Sequence, residues 1–135
     1  MSSPSQSPIH YGYASASDMT WSRSEKAIAR KAFDVALKRE LHELMQEVKE
    51  IAGQIKQPSD LWDLEEYLTQ RRKEIDRKYD YRYSHLTQVF GRLLYETRVS
   101  EEELRGFSED KLKTIRSFAQ FLAEDTAARA NPKPA

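Results

Sequence analysis

A row of apolar residues at helical spacing, in a chain with few helix-breaking residues, is the feature that most constrains this fold. The 135 residues include only four glycines and five prolines, and most of these lie near the ends. Apolar residues recur in alternating steps of four and three at Leu37, Leu41, Leu44, Val48, Ile51 and Ile55. This spacing forms a heptad seam of almost three repeats. So narrow a seam predicts packing against one or two long partner helices.

Capping signals predict where the first helices begin and end. Ser22 and Glu25 have the spacing of a capping box, which starts a first helix. Pro58 ends that helix region, and Ser59 or Asp60 is predicted to cap the next helix. The second helix would run from about Leu61 to the mid-90s, roughly 50 Å if unbroken. We therefore expect a break near residues 80–84, dimerisation, or both.

The rest of the chain predicts a compact helical head. Ser100 and Glu103 form a second capping-box pattern, Gly106 is a natural stop, and Ser108 can cap a last helix. The predicted fold is all-α, with a long antiparallel helical pair over about 21–80, then a head over about 84–124, assembling as an elongated homodimer. A single domain covers 20–125, and the tails 1–19 and 126–135 are predicted to be disordered.

Composition narrows the function classes. A cysteine count of zero excludes disulfides and thiolate chemistry, and a net charge of zero gives no general attraction to nucleic acid or anionic lipid. The N-terminal stretch lacks the pattern of a secretory signal, and no apolar run approaches the roughly 20 residues that span a bilayer. These features predict a soluble, cytoplasmic protein without membrane insertion.

Catalytic and metal-binding patterns are weak. The three histidines, His10, His42 and His85, have no carboxylate or second histidine one helical turn later. Acidic clusters such as Glu101–Glu103 are explained by solvated helix faces and helix N-termini. We predict no enzyme activity, no cofactor and no metal site.

A basic stretch over residues 71–82 superficially suggests nucleic-acid binding. Its cations are interleaved with Glu74, Asp76 and Asp80, and Arg72 and Asp76 form a same-face pair. A self-neutralising surface is the favoured interpretation, and we predict no nucleic-acid partner.

The position of Arg72 on the second helix allows two interpretations. At 100° per residue, the apolar stripe falls about 200–260° from Trp62, and Arg72 falls at about 280°, on the side that leads towards the tryptophan. Arginine and tryptophan bordered by apolar surface are enriched at interface hot spots. Alternatively, Trp62 packs in the bend between the first two helices, after Pro58, and the aliphatic part of the Arg72 side chain covers the core.

Two stretches resemble a known family. "WSRSEKAIARKAF", from Trp21, and "DLWDLEEYLTQRRKEIDRKYDYRYSHLTQVFGRLLYE", from Asp60, are similar to the cyanobacterial fluorescence recovery protein family. The resemblance runs from about Trp21 to Leu122. Its central pattern, D-L-W followed by R-x-E-I-D-x-K-Y-D, is long and unusual.

The resemblance implies a cofactor-free helical homodimer that binds the photoactivated red form of the orange carotenoid protein, chiefly at that protein's C-terminal domain. Such a regulator hastens the return to the orange form and helps detach it from the phycobilisome, ending photoprotective quenching. It also implies a cytoplasmic location, with association with phycobilisomes on the cytoplasmic side of thylakoids. The other candidate is a helical dimeric adaptor or scaffold with an unrelated protein partner.

The resemblance also assigns roles to residues. Arg72 matches the family's central arginine, Trp62 its interface tryptophan, and Leu61 a dimer-contact position. Members carry a His-Asp pair where this chain has Glu65 and Glu66. The predicted partner-binding residues are Trp62, Glu65, Glu66, Thr69, Arg72 and Asp76. The predicted dimer interface comprises Leu37, Leu41, Leu44, Val48, Leu61, Leu64 and Leu68.

Overall fold

The structure is a computed structural model that describes residues 20–130, and it is all-helical over that range. The helices are α1 (Arg23–Gly53), α2 (Pro58–Lys78), α3 (Leu86–Tyr95) and α4 (Glu109–Ala130). A short 3₁₀ turn, Glu102–Leu104, lies between α3 and α4. The predicted fold class is confirmed, and the predicted N-terminal tail, 1–19, lies outside the described residues.

The first capping box is present. The Ser22 hydroxyl accepts a hydrogen bond from the Glu25 amide at 3.1 Å, and the Glu25 carboxylate accepts one from the Ser22 amide at 3.0 Å. Both groups would otherwise be unpaired at the helix start. The local signal therefore predicted the start of α1 correctly.

The start of α2 differs from the prediction. The helix begins at Pro58 itself, with Gln57 as the preceding cap residue, rather than after a Ser59 or Asp60 cap. Proline is favoured in a first helical turn because its missing amide proton has no helical partner there. The Asp60 carboxylate instead accepts hydrogen bonds from the amides of Lys56 and Gln57, at 2.9 and 3.2 Å.

The predicted break after α2 lies at residues 79–85. The rings of Tyr79 and Tyr81 meet Phe33 of α1 edge-on, with centroids 5.4 and 4.8 Å apart. The Arg30 guanidinium lies 3.7 Å from the Tyr81 ring centroid, a cation–π contact. The non-helical segment is thus held against α1 by its aromatic side chains.

α2 runs antiparallel to the second half of α1. Tyr67, near the middle of α2, donates a hydrogen bond to Glu47. Lys78, at the end of α2, reaches back to Glu40 at 2.8 and 2.9 Å. The later residue of α2 therefore pairs with the earlier residue of α1, as the antiparallel pair requires.

The core of the head includes the first half of α1. The sequence instead predicted a helical pair over residues 21–80 and a head over residues 84–124 alone. Alanine keeps the buried face of α1 narrow, so the head approaches it closely. Fully or nearly fully buried residues come from α1, α3, the 3₁₀ turn and α4: Ala29, Phe33, Ala36, Leu86, Phe90, Leu93, Leu104 and Ile115.

The second capping box also ties the head to α1. The Ser100 amide donates to the Glu103 carboxylate at 3.0 Å, and the Glu103 amide donates to the Ser100 hydroxyl at 3.2 Å. The Arg39 guanidinium of α1 donates two hydrogen bonds to the same carboxylate, at 2.9 and 2.7 Å. These hydrogen bonds from Arg39 lower the pKa of Glu103 to about 2. The Ser108 hydroxyl accepts a hydrogen bond from the Lys111 amide at 3.3 Å, as its predicted capping role requires.

The last helix extends further than predicted. α4 continues to Ala130, so the domain does not end at residue 125. Its final turns are rich in alanine, a strong helix former, and Asp125 and Arg129 pair one turn apart at 3.1 Å. Residues 131–135 lie outside the described range. Across residues 20–130, every helix falls short of the length and apolar character needed to cross a membrane.

We expect Gly91→Ala to destabilise the protein. A Cβ at this position would lie 2.9 Å from the Phe118 side chain and 3.0 Å from the Ile115 carbonyl of α4. Overpacking of this kind costs about 1–3 kcal/mol, measurable by urea unfolding. The matched control is Gly53→Ala, where nothing lies within 4 Å and alanine favours helix, so stability should rise by no more than about 1 kcal/mol. Equal effects of the two substitutions would contradict the close packing of α3 on α4.

We expect Glu103→Gln to lower stability in a pH-dependent way. The pKa of Glu103 is lower in the folded chain, so its stabilising effect is complete above its ordinary value of 4.5 and is lost as the pH falls towards about 2. The difference in unfolding midpoint from the native protein should therefore be full at pH 7 and shrink over that acidic range. Glu102→Gln removes an exposed ion pair with Arg105 and should change the unfolding midpoint little, both at pH 7 and in the acidic range.

Candidate functional site

Most of α2 faces away from the rest of the chain. Of its residues, all of which the structure describes, Ile75 alone is buried. Leu61, Trp62 and Leu68 are 49%, 65% and 37% exposed. Because large apolar side chains grouped on a surface mark interaction sites, α2 is the strongest candidate for one.

A shallow depression of about 370 Å³ lies on this exposed side of α2. Apolar and polar side chains line it together: Leu61, Leu64, Glu65, Leu68, Thr69 and Arg72. Three of the predicted partner-binding residues thus share one surface with three of the predicted dimer-interface leucines.

Arg72 lies at the rim of this depression, as the helical geometry predicted. Its side chain is 85% exposed, and its nearest carboxylate is that of Asp76, 4.0 Å away on the next turn. Exposed pairs at this distance contribute little free energy, so the guanidinium keeps its capacity to bind another group. The alternative interpretation, in which the aliphatic part of Arg72 covers the core, is therefore wrong.

Trp62 does not pack in the bend after Pro58. Its side chain is the most exposed of the large apolar residues, and it is not among those lining the depression. Helix geometry places it about 80° around α2 from Arg72 and roughly 15 Å along the axis. Glu66 is also exposed and lies a further 40° or so around the helix from Trp62. The six predicted partner-binding residues therefore form a broad surface, and only part of it is concave.

The predicted seam of α1 forms a second apolar surface. Leu37, Leu44 and Val48 are half-buried, while Leu41 is 41% and Met45 is 52% exposed. A depression of about 410 Å³ runs past Leu37, Leu41 and Met45. None of the seven predicted dimer-interface residues is buried within the single chain.

The described histidines show no catalytic arrangement. His42 is exposed, and His85 Nδ1 is paired with the hydroxyl of its neighbour Ser84 at 2.9 Å. Over residues 20–130, histidine and carboxylate side chains nowhere group in threes that could hold a metal ion.

Sequence reasoning missed a cluster of charged side chains around one buried carboxylate, where α1, α2 and the head meet. We call Glu40, Lys78, Tyr79, Glu96 and Arg98 the Glu40 cluster. The Glu40 carboxylate, 1% exposed, accepts hydrogen bonds from Lys78 Nζ and from Tyr79 Oη at 2.8 Å, and Arg98 Nε lies 3.2 Å away. A charged cleft of about 710 Å³ opens beside it.

The environment of the cluster shifts several of its pKa values. Burial raises the pKa of Tyr79, and the hydrogen bond to Glu40 raises it further. Burial alone would raise the pKa of Glu96, but hydrogen bonds from Lys78 and Arg98 outweigh it, so this pKa lies below its ordinary value. These shifts favour an ionised Glu96 carboxylate and a neutral Tyr79 phenol.

One sequence signal could have located Glu40. The buried face of α1 runs through Ala29, Phe33 and Ala36 in steps of four and three, and the next step lands on Glu40. A carboxylate that continues an apolar row indicates a buried charge with distant partners. The leucine seam is a different face of the helix, about 80° around α1 from this buried face.

Comparison with known proteins identifies the family. A family model described as "Photoprotection regulator fluorescence recovery protein" matches residues 21–119. The chain belongs to the fluorescence recovery protein family. Its match spans α1, α2, α3 and the first half of α4, so the candidate surface of α2 lies inside the family's common region.

Individual members are similar over nearly their whole length. The fluorescence recovery protein of Synechocystis is 42% identical over 100 residues, which are 74% of this chain and 92% of that protein. The solved structures of the fluorescence recovery proteins from Fremyella diplosiphon and Synechocystis superpose with a TM-score of 0.71 each, at 40% and 42% identity. Each alignment covers 75% of this chain and 99% of the other. The resemblance inferred from the sequence is confirmed, and with it a role in regulating photoprotection.

Proposed function

We propose that this protein is a non-enzymatic regulator that binds the photoactivated red form of the orange carotenoid protein, chiefly at its C-terminal domain. It accelerates the return to the orange form and helps detach it from the phycobilisome, which ends quenching. In this role the protein is cytoplasmic and associates with phycobilisomes on the cytoplasmic side of thylakoids.

The observation that carries this proposal is the state of Arg72. Its guanidinium is 85% exposed at the rim of a leucine-lined depression and meets one carboxylate at 4.0 Å. A planar, weakly hydrated cation beside apolar surface suits a protein interface, where it forms paired hydrogen bonds with a partner's carboxylate or carbonyl groups. Membership of a family of photoprotection regulators supports a protein partner that acts in photoprotection.

The mechanism we propose is preferential binding. A protein that speeds another protein's relaxation without covalent chemistry must bind some of that protein's conformations more tightly than others. Arg72 supplies a directional polar anchor, and Trp62 supplies an exposed aromatic one about 15 Å along α2. Glu65, Glu66, Thr69 and Asp76 surround these anchors with polar groups.

A second copy of this chain is the proposed occupant of the leucine surfaces. The seven predicted interface residues of α1 and α2 are all partly exposed in one chain: Leu37, Leu41, Leu44, Val48, Leu61, Leu64 and Leu68. Heptad spacing on α1 and a matching stripe on α2 suit packing between long helices. The homodimer would present the surface around Arg72 twice.

We expect Arg72→Leu to weaken the acceleration of recovery. The experiment mixes the purified protein with photoactivated orange carotenoid protein and follows the loss of red absorbance in the dark. Loss of an interface anchor should raise the half-maximal concentration about tenfold or more. Arg77→Leu is the matched control, because it makes the same substitution on the same helix about 140° around the axis from Arg72.

The outcomes separate the candidates. Undiminished acceleration by Arg72→Leu would remove the assigned role of this arginine. No acceleration by the native protein would refute the carotenoid-protein proposal and leave the adaptor or scaffold alternative. Equal losses from Arg72→Leu and Arg77→Leu would indicate a general charge effect rather than a defined surface.

We expect Leu61→Glu to produce a monomer. Placing a carboxylate in an apolar interface without a partner costs several kcal/mol, enough to dissociate a dimer at micromolar concentration. Size-exclusion chromatography with light scattering measures the mass directly. Gln70→Glu adds the same charge at an exposed position on the other side of α2 and should leave the mass unchanged. A Leu61→Glu variant with the mass of a dimer would place the interface elsewhere.

A further inference from the structure

The Glu40 cluster joins the three parts of the chain at one point. Glu40 lies in the middle of α1, Lys78 is the last residue of α2 with Tyr79 directly after it, and Arg98 follows α3. Lys78 Nζ contacts both oxygens of Glu40 at 2.9 and 2.8 Å and also Glu96 at 2.7 Å. A single buried carboxylate therefore connects the long helices with the head.

α2 is only lightly buried within the chain, and polar contacts join it to α1. Ile75 is the one buried residue of α2. Tyr67 donates a hydrogen bond to Glu47, and Arg71 lies 3.7 Å from Glu40 and 4.0 Å from Glu47. The aromatic contacts of residues 79–83 lie beyond the end of α2. Hydrogen bonds and ion pairs therefore help to fix the direction of α2.

Hydrogen bonds and buried ion pairs favour one arrangement because they are directional and costly to leave unpaired. Apolar side chains in contact can slide past one another at a smaller cost, since their attraction is not directional. A polar junction at the end of α2 therefore selects one direction of the helix more sharply than an apolar junction of the same area.

We propose that Glu40 is a positioning residue whose buried carboxylate holds α2, and with it the surface around Arg72, at one fixed angle to the head. This device is internal to the chain and does not depend on which protein that surface binds. It goes beyond the proposed function in this respect.

The charges around Glu40 explain why its removal should move α2. Glu40 and Glu96 face Lys78 and Arg98 within 3.2 Å, with Arg71 slightly further away. Without the charge of Glu40, Lys78, Arg98 and Arg71 lose their one fully buried carboxylate. Glu96, which is 18% exposed and also pairs with Arg92 at 3.1 Å, is then left to balance Lys78 and Arg98. The remaining acidic groups at this junction, Glu43, Glu47 and Glu74, are more exposed and screened by solvent, so they compensate only in part.

Because the sequence has no cysteine, two introduced cysteines can be spin-labelled specifically. Asp63→Cys on α2 and Ser117→Cys on α4 place labels at exposed positions on the two bodies. Position 63 lies about 23 Å along the axis from Lys78, so a swing of about 20° would displace it by about 8 Å. Labelled chains are diluted with unlabelled protein, so that distances within one chain dominate the pulsed electron resonance signal.

In this labelled background we expect Glu40→Gln to broaden the distance distribution or to shift its mean by up to about 8 Å, the full displacement of the label for that swing. The matched control, Glu43→Gln, removes a half-exposed carboxylate that also pairs with Arg98, and it should leave the distribution unchanged. A distribution for Glu40→Gln as narrow as that of the native protein, with the same mean, would overturn the proposal. Equal broadening by both substitutions would also overturn it.

A second variant covers the case in which Glu40→Gln loses the helical circular dichroism of the native protein. Tyr79→Phe removes one hydroxyl donor to Glu40 and keeps the ring that packs on Phe33. A broader distribution in a fully helical Tyr79→Phe protein supports the proposal, and an unchanged one contradicts it. Both results are independent of the carotenoid-protein assay, so this proposal and the proposed function can fail separately.

Discussion

The length of α1 relative to the head that covers it is the constraint from which much of this structure follows. Its 31 residues form a rod of about 46 Å, and the head packs on the first half only. In that half, alanines and Phe33 bring α1 close to α3 and the 3₁₀ turn. Beyond Glu40 no residue of α1 is buried, although Arg98 of the head still reaches Glu43 at 2.8 Å, and α2 lies beside the leucine seam. The exposed seam, the antiparallel α2 and the proposed second copy all arise from this mismatch in length.

Charged residues replace apolar packing where the covered half of α1 gives way to the uncovered half. Burying Glu40 is favourable only because Lys78, Tyr79 and Arg98 converge on it from other parts of the chain. A hydrophobic junction would hold the parts together without selecting one angle so strongly. For a protein whose binding surface lies on α2, the angle of that helix decides how the surface faces a partner.

Much of this architecture was predictable from local rules. The capping box at Ser22 follows from interactions between residues three positions apart. The break near residues 80–84 was expected because an unbroken helix of roughly 50 Å is too long for a small domain to bury. The placement of Arg72 at the rim of a leucine stripe follows from the 100° rotation per residue. The start of α2 at Pro58 and the continuation of α4 to Ala130 were missed, because proline at a first turn and alanine near a chain end are each compatible with two local structures.

By itself, the sequence determined the helical class, the approximate helix boundaries, the family resemblance and the composition of the surface on α2. Tertiary structure alone decided that Trp62 is exposed rather than packed in the bend after Pro58, that the first half of α1 belongs to the head, and which distant side chains pair with Glu40. The reason is the range of the forces involved. Helix formation depends on neighbours within about four residues, whereas Glu40 is stabilised by a lysine 38 positions away. No local pattern states which distant side chains will meet.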